Sequence, residues 1–178
     1  MKLAVLLVVT GTLLFGGLPV VRSDNANVPL TENEAYVLLD QLLALSAVSN
    51  DRAVELQRYK QWASLHARLM GEDQFSKEQM KIYLFAVFVA EQRVKVDSLE
   101  EMAKVIVPKF KKQPELMLAV LNEMPFLLPA TCNRIGTHFD LFGSGQDKQQ
   151  FLTSYGKMIT EKLGKENAKI CLVQIRES

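Results

Sequence analysis

Two cysteines, two histidines, one tryptophan and almost balanced charge leave this 178-residue chain short of the usual material for chemistry. His66 and His138 cannot define a metal centre by themselves, since a structural site takes about four ligands. No Gly-x-Ser-x-Gly elbow is present to hold a nucleophile, and no Gly-Lys-[Ser/Thr] follows a glycine-rich loop. Twenty-one Lys+Arg against 20 Asp+Glu give no global field to draw in nucleic acid or an anionic membrane. No Asn is followed by x-Ser or x-Thr, so N-glycosylation is not expected. No cofactor or metal is implied, and the chain reads as a non-enzyme.

What is present begins with a leader. Met1-Lys2 precedes the apolar stretch Leu3 to Leu18, and Val21-Arg22-Ser23 leads into a polar tract at Asp24. A charged start, an apolar middle and tolerated residues before a cut after Ser23 are the layout of a secretory signal peptide. The alternative is an uncleaved anchor. Thr10, Gly11, Thr12, Gly16, Gly17 and Pro19 interrupt the stretch, which falls short of the ~20 apolar residues a span prefers. Residues 1–23 are therefore expected to be removed, leaving 24–178 as one secreted domain with no transmembrane segment. No cysteine follows the leader for lipid attachment, and the last residues show neither a GPI signal nor a retention tetrapeptide. Lys2 and Arg22 leave with the leader, so 19 basic side chains remain against 20 acidic ones.

Both cysteines, Cys132 and Cys171, lie in the mature region. In an oxidising compartment an even pair most simply forms one internal bridge, with cross-linking of two chains as the alternative. Such a bridge contributes roughly 4 kcal/mol in the chain-entropy picture. Most of the stability must then come from apolar packing.

Helical periodicity dominates the rest. After a polar arm at 24–30, Thr31-x-x-Glu34 is a capping box, and Ala35, Leu38, Leu39 and Leu42 share one face of a helix ending near Val48. Asn50-Asp51 starts a second helix, which Gly71 stops. Ser76-x-x-Gln79 opens a third and Ser98-x-x-Glu101 a fourth, with Met102, Ala103 and Ile106 on its face. Pro108 is expected to kink or end it. Pro114 suits the first turn of a fifth helix, with Met117, Val120, Leu121 and Met124 on one side.

Pro125 to Pro129 reads as an extended apolar connector, followed by a looser glycine-containing region in which part of 131–141 is a short helix. Phe151 to Leu163 is a helix stopped by Gly164. The segment 166–176 fits a helix through Ala168, Cys171, Leu172 and Ile175, and a strand through Cys171, Val173 and Ile175; its length and neighbours favour helix. The expected fold is all-α, a compact single-domain bundle of about six or seven helices with one disulfide.

Three features are candidates for a site. His66 sits beside apolar residues of the second helix, and His138-Phe139-Asp140 sets a carboxylate near an imidazole. Lys109, Lys111 and Lys112 form the one basic cluster and are candidate contacts for a polyanion. Ile82 to Ala90 is apolar throughout and should be a central, surrounded helix. Part of its surface, with the proline-bounded connector, is a candidate apolar pocket or interface made of Tyr83, Phe85, Phe88, Met117, Met124, Phe126 and Leu127. The paired acids Glu32/Glu34 and Glu100/Glu101 are read as first-turn residues that complement a helix dipole.

In layout the chain is similar to insect odorant-binding proteins and other small secreted helical proteins of arthropod fluids. It has two cysteines where odorant-binding proteins have a multi-cysteine framework, and no motif matches residue by residue. Two functions remain. The first is binding of another extracellular macromolecule as an inhibitor, effector or signalling factor. The second is carriage of a small lipophilic molecule between helices. A monomer is expected.

Overall fold

The structure, a computed structural model, describes residues 31–45, 49–71, 74–92 and 96–178. The expected leader at 1–23, the arm at 24–30 and the first helix's end near Val48 lie outside these residues. Seven α-helices and one 3-10 turn account for nearly all of the described chain, with no strand among the described residues.

Local capping chemistry sets several helix starts. In α1 (Glu32–Leu45) the Thr31 N–H donates to Glu34 Oε2 at 2.9 Å, and the Glu34 N–H donates to Thr31 Oγ1 at 3.3 Å. Each side chain thereby satisfies a backbone donor that the first turn leaves orphaned. Asp51 caps α2 (Arg52–Met70) by accepting from the amides of Ala53 and Val54. Ser76 and Gln79 exchange the same reciprocal bonds at α3 (Lys77–Gln92), at 2.8 and 3.2 Å.

In α4 (Val96–Lys112) two expectations change. The helix starts before Ser98, which places Ser98, Glu100 and Glu101 inside it rather than at its cap. It also runs through Pro108 instead of ending there. Pro108 and Lys104 are exposed, so the turn in which the proline removes a hydrogen bond lies on the solvent side of the helix. Met102, Ala103, Ile106, Val107 and Phe110 are buried on the opposite side. Packing on both sides of the proline carries the helix past it.

Gln113 ends α4 with a two-way clamp. Its Oε1 accepts from the Phe75 N–H at 2.8 Å and its Nε2 donates to the Phe75 carbonyl at 2.9 Å. This fixes the start of α3 against the junction of α4 with α5 (Pro114–Glu123).

The segment from Pro125 to Pro129 is not extended. Pro125–Leu127 is a 3-10 turn that leads directly into α6 (Leu128–Phe142). Both prolines occupy first-turn positions, where a missing N–H removes no hydrogen bond. The region read as loose is likewise helical through Gly136. Ser144 then caps α7 (Gly145–Glu177), accepting from the Asp147 N–H at 3.2 Å.

At Gly164 α7 is bent, with φ +73° and ψ 165°, into arms 145–163 and 165–177. The arms fold back on each other. Phe151 of the first meets Phe139 of α6, while the second runs alongside α6 with Cys171 bonded to Cys132. Lys148 Nζ, near the start of α7, reaches the Ser178 main-chain oxygen at 2.9 Å. The stop read at Gly164 is thus a hairpin bend, and the ambiguous last segment is helix.

The core forms where α3 meets α4, α5 and α6, and α6 packs chiefly on α7 and α4. The α1–α2 hairpin attaches to it mainly through α1 against α3.

Candidate functional site

Helix α3 is enclosed on most of its circumference: Met80, Ile82, Tyr83, Leu84, Ala86, Val87, Val89 and Ala90 are buried. Only one stripe escapes, along Lys77, Lys81, Phe85, Phe88 and Gln92, residues that succeed one another at helical spacing on one face. The 3-10 turn lays Phe126 against this stripe. The Phe85 and Phe88 rings lie 6.2 Å apart, and Phe126 stands nearly perpendicular to both, at 6.5 and 5.6 Å. Phe126 remains 50% exposed. Proline at 125 makes the turn, and burial of Leu127 and Leu128 on its inner side leaves Phe126 facing outward.

Ion pairs bracket this aromatic corner. At one end Glu123 Oε2 meets Lys77 Nζ at 2.7 Å, Glu123 Oε1 meets Lys81 at 2.9 Å, and Lys81 also meets Glu78 at 3.1 Å. At the other, Asn133 Nδ2 donates to Glu91 Oε1 at 2.8 Å. Arg134 Nε lies 3.3 Å from Glu91 Oε2, close enough to pair electrostatically although neither atom is aligned for a hydrogen bond.

These pairs have a pH signature. Lys77, then Lys81, holds the Glu123 carboxyl below its ordinary value. The Thr31 backbone N–H, then its hydroxyl, does the same for Glu34. A carboxyl lowered in the fold stabilises it above the ordinary carboxylate range, and that contribution is lost as the pH falls through the lowered value. Glu123 and Glu78 raise Lys81, so its contribution is lost only as the pH rises through that raised value. Glu123→Gln is therefore expected to flatten the acid limb of stability. Urea midpoints measured from about pH 6 to about pH 3 should fall less steeply in the variant than in the wild type.

The seven residues grouped from sequence separate into two sets. Phe85, Phe88, Met124 and Phe126 are half-buried or exposed, whereas Tyr83, Met117 and Leu127 belong to the closed core. Tyr83 packs on Phe75 at 5.4 Å, and burial pushes its phenol well above the ordinary value.

The lysine cluster also divides. Lys111 and Lys112 are exposed, but Lys109 is 7% exposed, with Nζ 4.2 Å from the Phe75 ring centroid and 5.6 Å from that of Tyr83. An ammonium set against ring faces is held by the ring quadrupoles. Lys109 therefore cannot join Lys111 and Lys112 in meeting a polyanion at the surface.

His138 and Asp140 do not act on one another. In a helix, residues two apart point in different directions. His138 Nδ1 donates to the Ala103 carbonyl at 2.8 Å, and its ring contacts Phe139 and Phe142. Asp140 pairs with Lys148 at 2.8 Å. His66 lies in α2, and its side chain is outside the described part. Among the described residues no group of three or more His, Cys, Asp or Glu could hold a metal, and no helix is long and apolar enough to cross a membrane.

Sequence reasoning missed the Gln113–Phe75 clamp, the Ser144 cap and the hydrogen bond that Ser178 Oγ donates to Asn133 Oδ1 at 2.9 Å. Only the cap had a signal, Ser144-x-x-Asp147; the other two join residues distant in the chain. Comparison with protein-family models, with curated proteins and with solved structures finds no match.

Proposed function

We propose that this chain is exported and non-enzymatic, and that it binds another extracellular macromolecule as an inhibitor, effector or signalling factor. The observation that carries this reading is the aromatic corner. Aromatic side chains supply large contact area at low conformational cost and are enriched among the residues that dominate interfaces. Phe126 is half in water, while Phe85 and Phe88 hold its ring from behind and charged pairs form a rim. An apolar centre with a polar edge is the usual anatomy of a recognition surface.

The internal disulfide supports an oxidising compartment. The partners of His138 and Asp140 support recognition over catalysis, since the imidazole and the carboxylate are each engaged elsewhere.

Pull-down from the fluid that receives the secreted protein tests the reading. Wild type should retain a saturable partner, and Phe126→Ala should weaken that binding by roughly tenfold or more with an unchanged melting temperature. A partner bound equally well by the variant would move the interface elsewhere. A lipid that co-purifies with the protein in native mass spectrometry, with no saturable macromolecule, would favour a carrier of lipophilic ligands instead.

A further inference from the structure

We infer that the 165–178 arm is a hinged strap locked by the Cys132–Cys171 bridge, and that reduction of the bridge frees this arm while the rest of the bundle stays folded. Each arm of α7 buries three side chains in the core, but those of the second arm are smaller. Phe151, Ile159 and Leu163 of the first arm are buried, and Phe151 and Tyr155 join a ring cluster with Phe110 at 5.0–5.2 Å separations. The second arm buries Ala168, Cys171 and Ile175 and leaves Lys165, Glu166, Lys169 and Ile170 exposed. A helix of its length is marginal in water once detached.

The bend between the arms is uncrowded. Gly164 has φ +73°, and nothing lies within 4 Å of where its Cβ would be. Beyond the bridge the arm is closed by a polar latch. Ser178 Oγ donates to Asn133 Oδ1 at 2.9 Å and also contacts the Gln174 carbonyl. Lys148 Nζ donates to the Ser178 main-chain oxygen. These are hydrogen bonds at a half-exposed edge, the kind that opens first in local unfolding.

Reduction is a two-electron exchange with a dithiol. One thiolate attacks a bridge sulfur, breaking the S–S bond to give a mixed disulfide and one cysteine thiolate; the second thiolate then closes the reductant into a cyclic disulfide and displaces the other cysteine. Both cysteines are buried, so the dithiol reaches the bridge only when the arm lifts. Once freed, the arm uncovers the Cys132, Asn133 and Gly136 face of α6.

Hydrogen exchange of the full chain, oxidised and after dithiothreitol, tests this. Amides of 165–178 should exchange on the order of 100-fold faster when reduced, with 77–92, 114–121 and 145–163 unchanged. Loss of protection throughout would make the bridge a staple of the whole fold, and unchanged protection at 165–178 would show that the arm does not need it. Either result overturns the inference. The reduction rate supplies a second reading: its dependence on urea should be much weaker than that of global unfolding, and an equal dependence would exclude local opening.

Discussion

Val87→Asp is expected to leave the chain unfolded at room temperature, while Phe88→Asp, one residue along, should still fold. Val87 is 0% exposed on the inner side of α3, within the apolar core. An unpaired buried charge costs several kcal/mol, comparable with the ~5–15 kcal/mol that holds a whole domain together. Phe88 lies on the open stripe, so a carboxylate there stays hydrated, and the loss is about 1–2 kcal/mol of ring packing. Far-ultraviolet circular dichroism and thermal melts of the two variants distinguish these outcomes. A cooperative melt of Val87→Asp near the wild-type temperature would contradict the enclosed placement of α3. From the sequence, 82–90 is expected to be a surrounded helix, with part of its surface as a candidate pocket or interface; the structure leaves Phe85 and Phe88 at the edge.

Gly136→Val is expected to destabilise the fold by about 3 kcal/mol, through overpacking that the neighbouring backbone cannot relieve. A Cβ at this position would lie 2.7 Å from the Ile175 carbonyl oxygen and 2.5 Å from Ser178 Oγ. The missing side chain lets the last arm of α7 approach α6. Two glycines of α7 serve as controls. Gly156 has open space around it, so Gly156→Ala should stabilise by about 0.5–1 kcal/mol through helix propensity. Gly164 also has space but a positive φ with extended ψ, a region essentially confined to glycine, so Gly164→Ala should cost about 2 kcal/mol. Urea midpoints for the three variants should therefore fall in the order Gly156→Ala, Gly164→Ala, Gly136→Val, with only the first above wild type. A wild-type midpoint for Gly136→Val would mean that the two helices stand further apart.

Three helix starts were legible because their stabilising bonds are local, although the equally local Ser144 cap was missed and Ser98-x-x-Glu101 lies inside α4. Thr31 with Glu34, Asp51 with the amides of Ala53 and Val54, and Ser76 with Gln79 each join residues no more than three positions apart, so a short window contains both partners. Proline was harder to read because its meaning depends on what surrounds it. At Pro108 burial on the opposite face outweighs the lost hydrogen bond. At Pro125 and Pro129 the same missing donor falls in a first turn, where it removes nothing. The candidate site was legible as a set of apolar residues, but periodicity could not separate Tyr83, Met117 and Leu127 from Phe85, Phe88 and Phe126. That division depends on which neighbours arrive from α4, α5 and α6.

The amino-acid sequence by itself determined the helical class, most helix starts and an interruption at Gly164, and it left the two cysteines a bridge either within the chain or between chains. Each follows from backbone preference, from bonds within one turn, or from there being only two cysteines to join. Tertiary structure alone decided that Lys109 is buried against Phe75 while Lys111 and Lys112 meet water. It also decided that Phe126 faces outward, and that Gly136 serves close helix approach rather than a loop. These outcomes depend on contacts between residues tens of positions apart, where burial is settled by the whole packing and no local pattern records it.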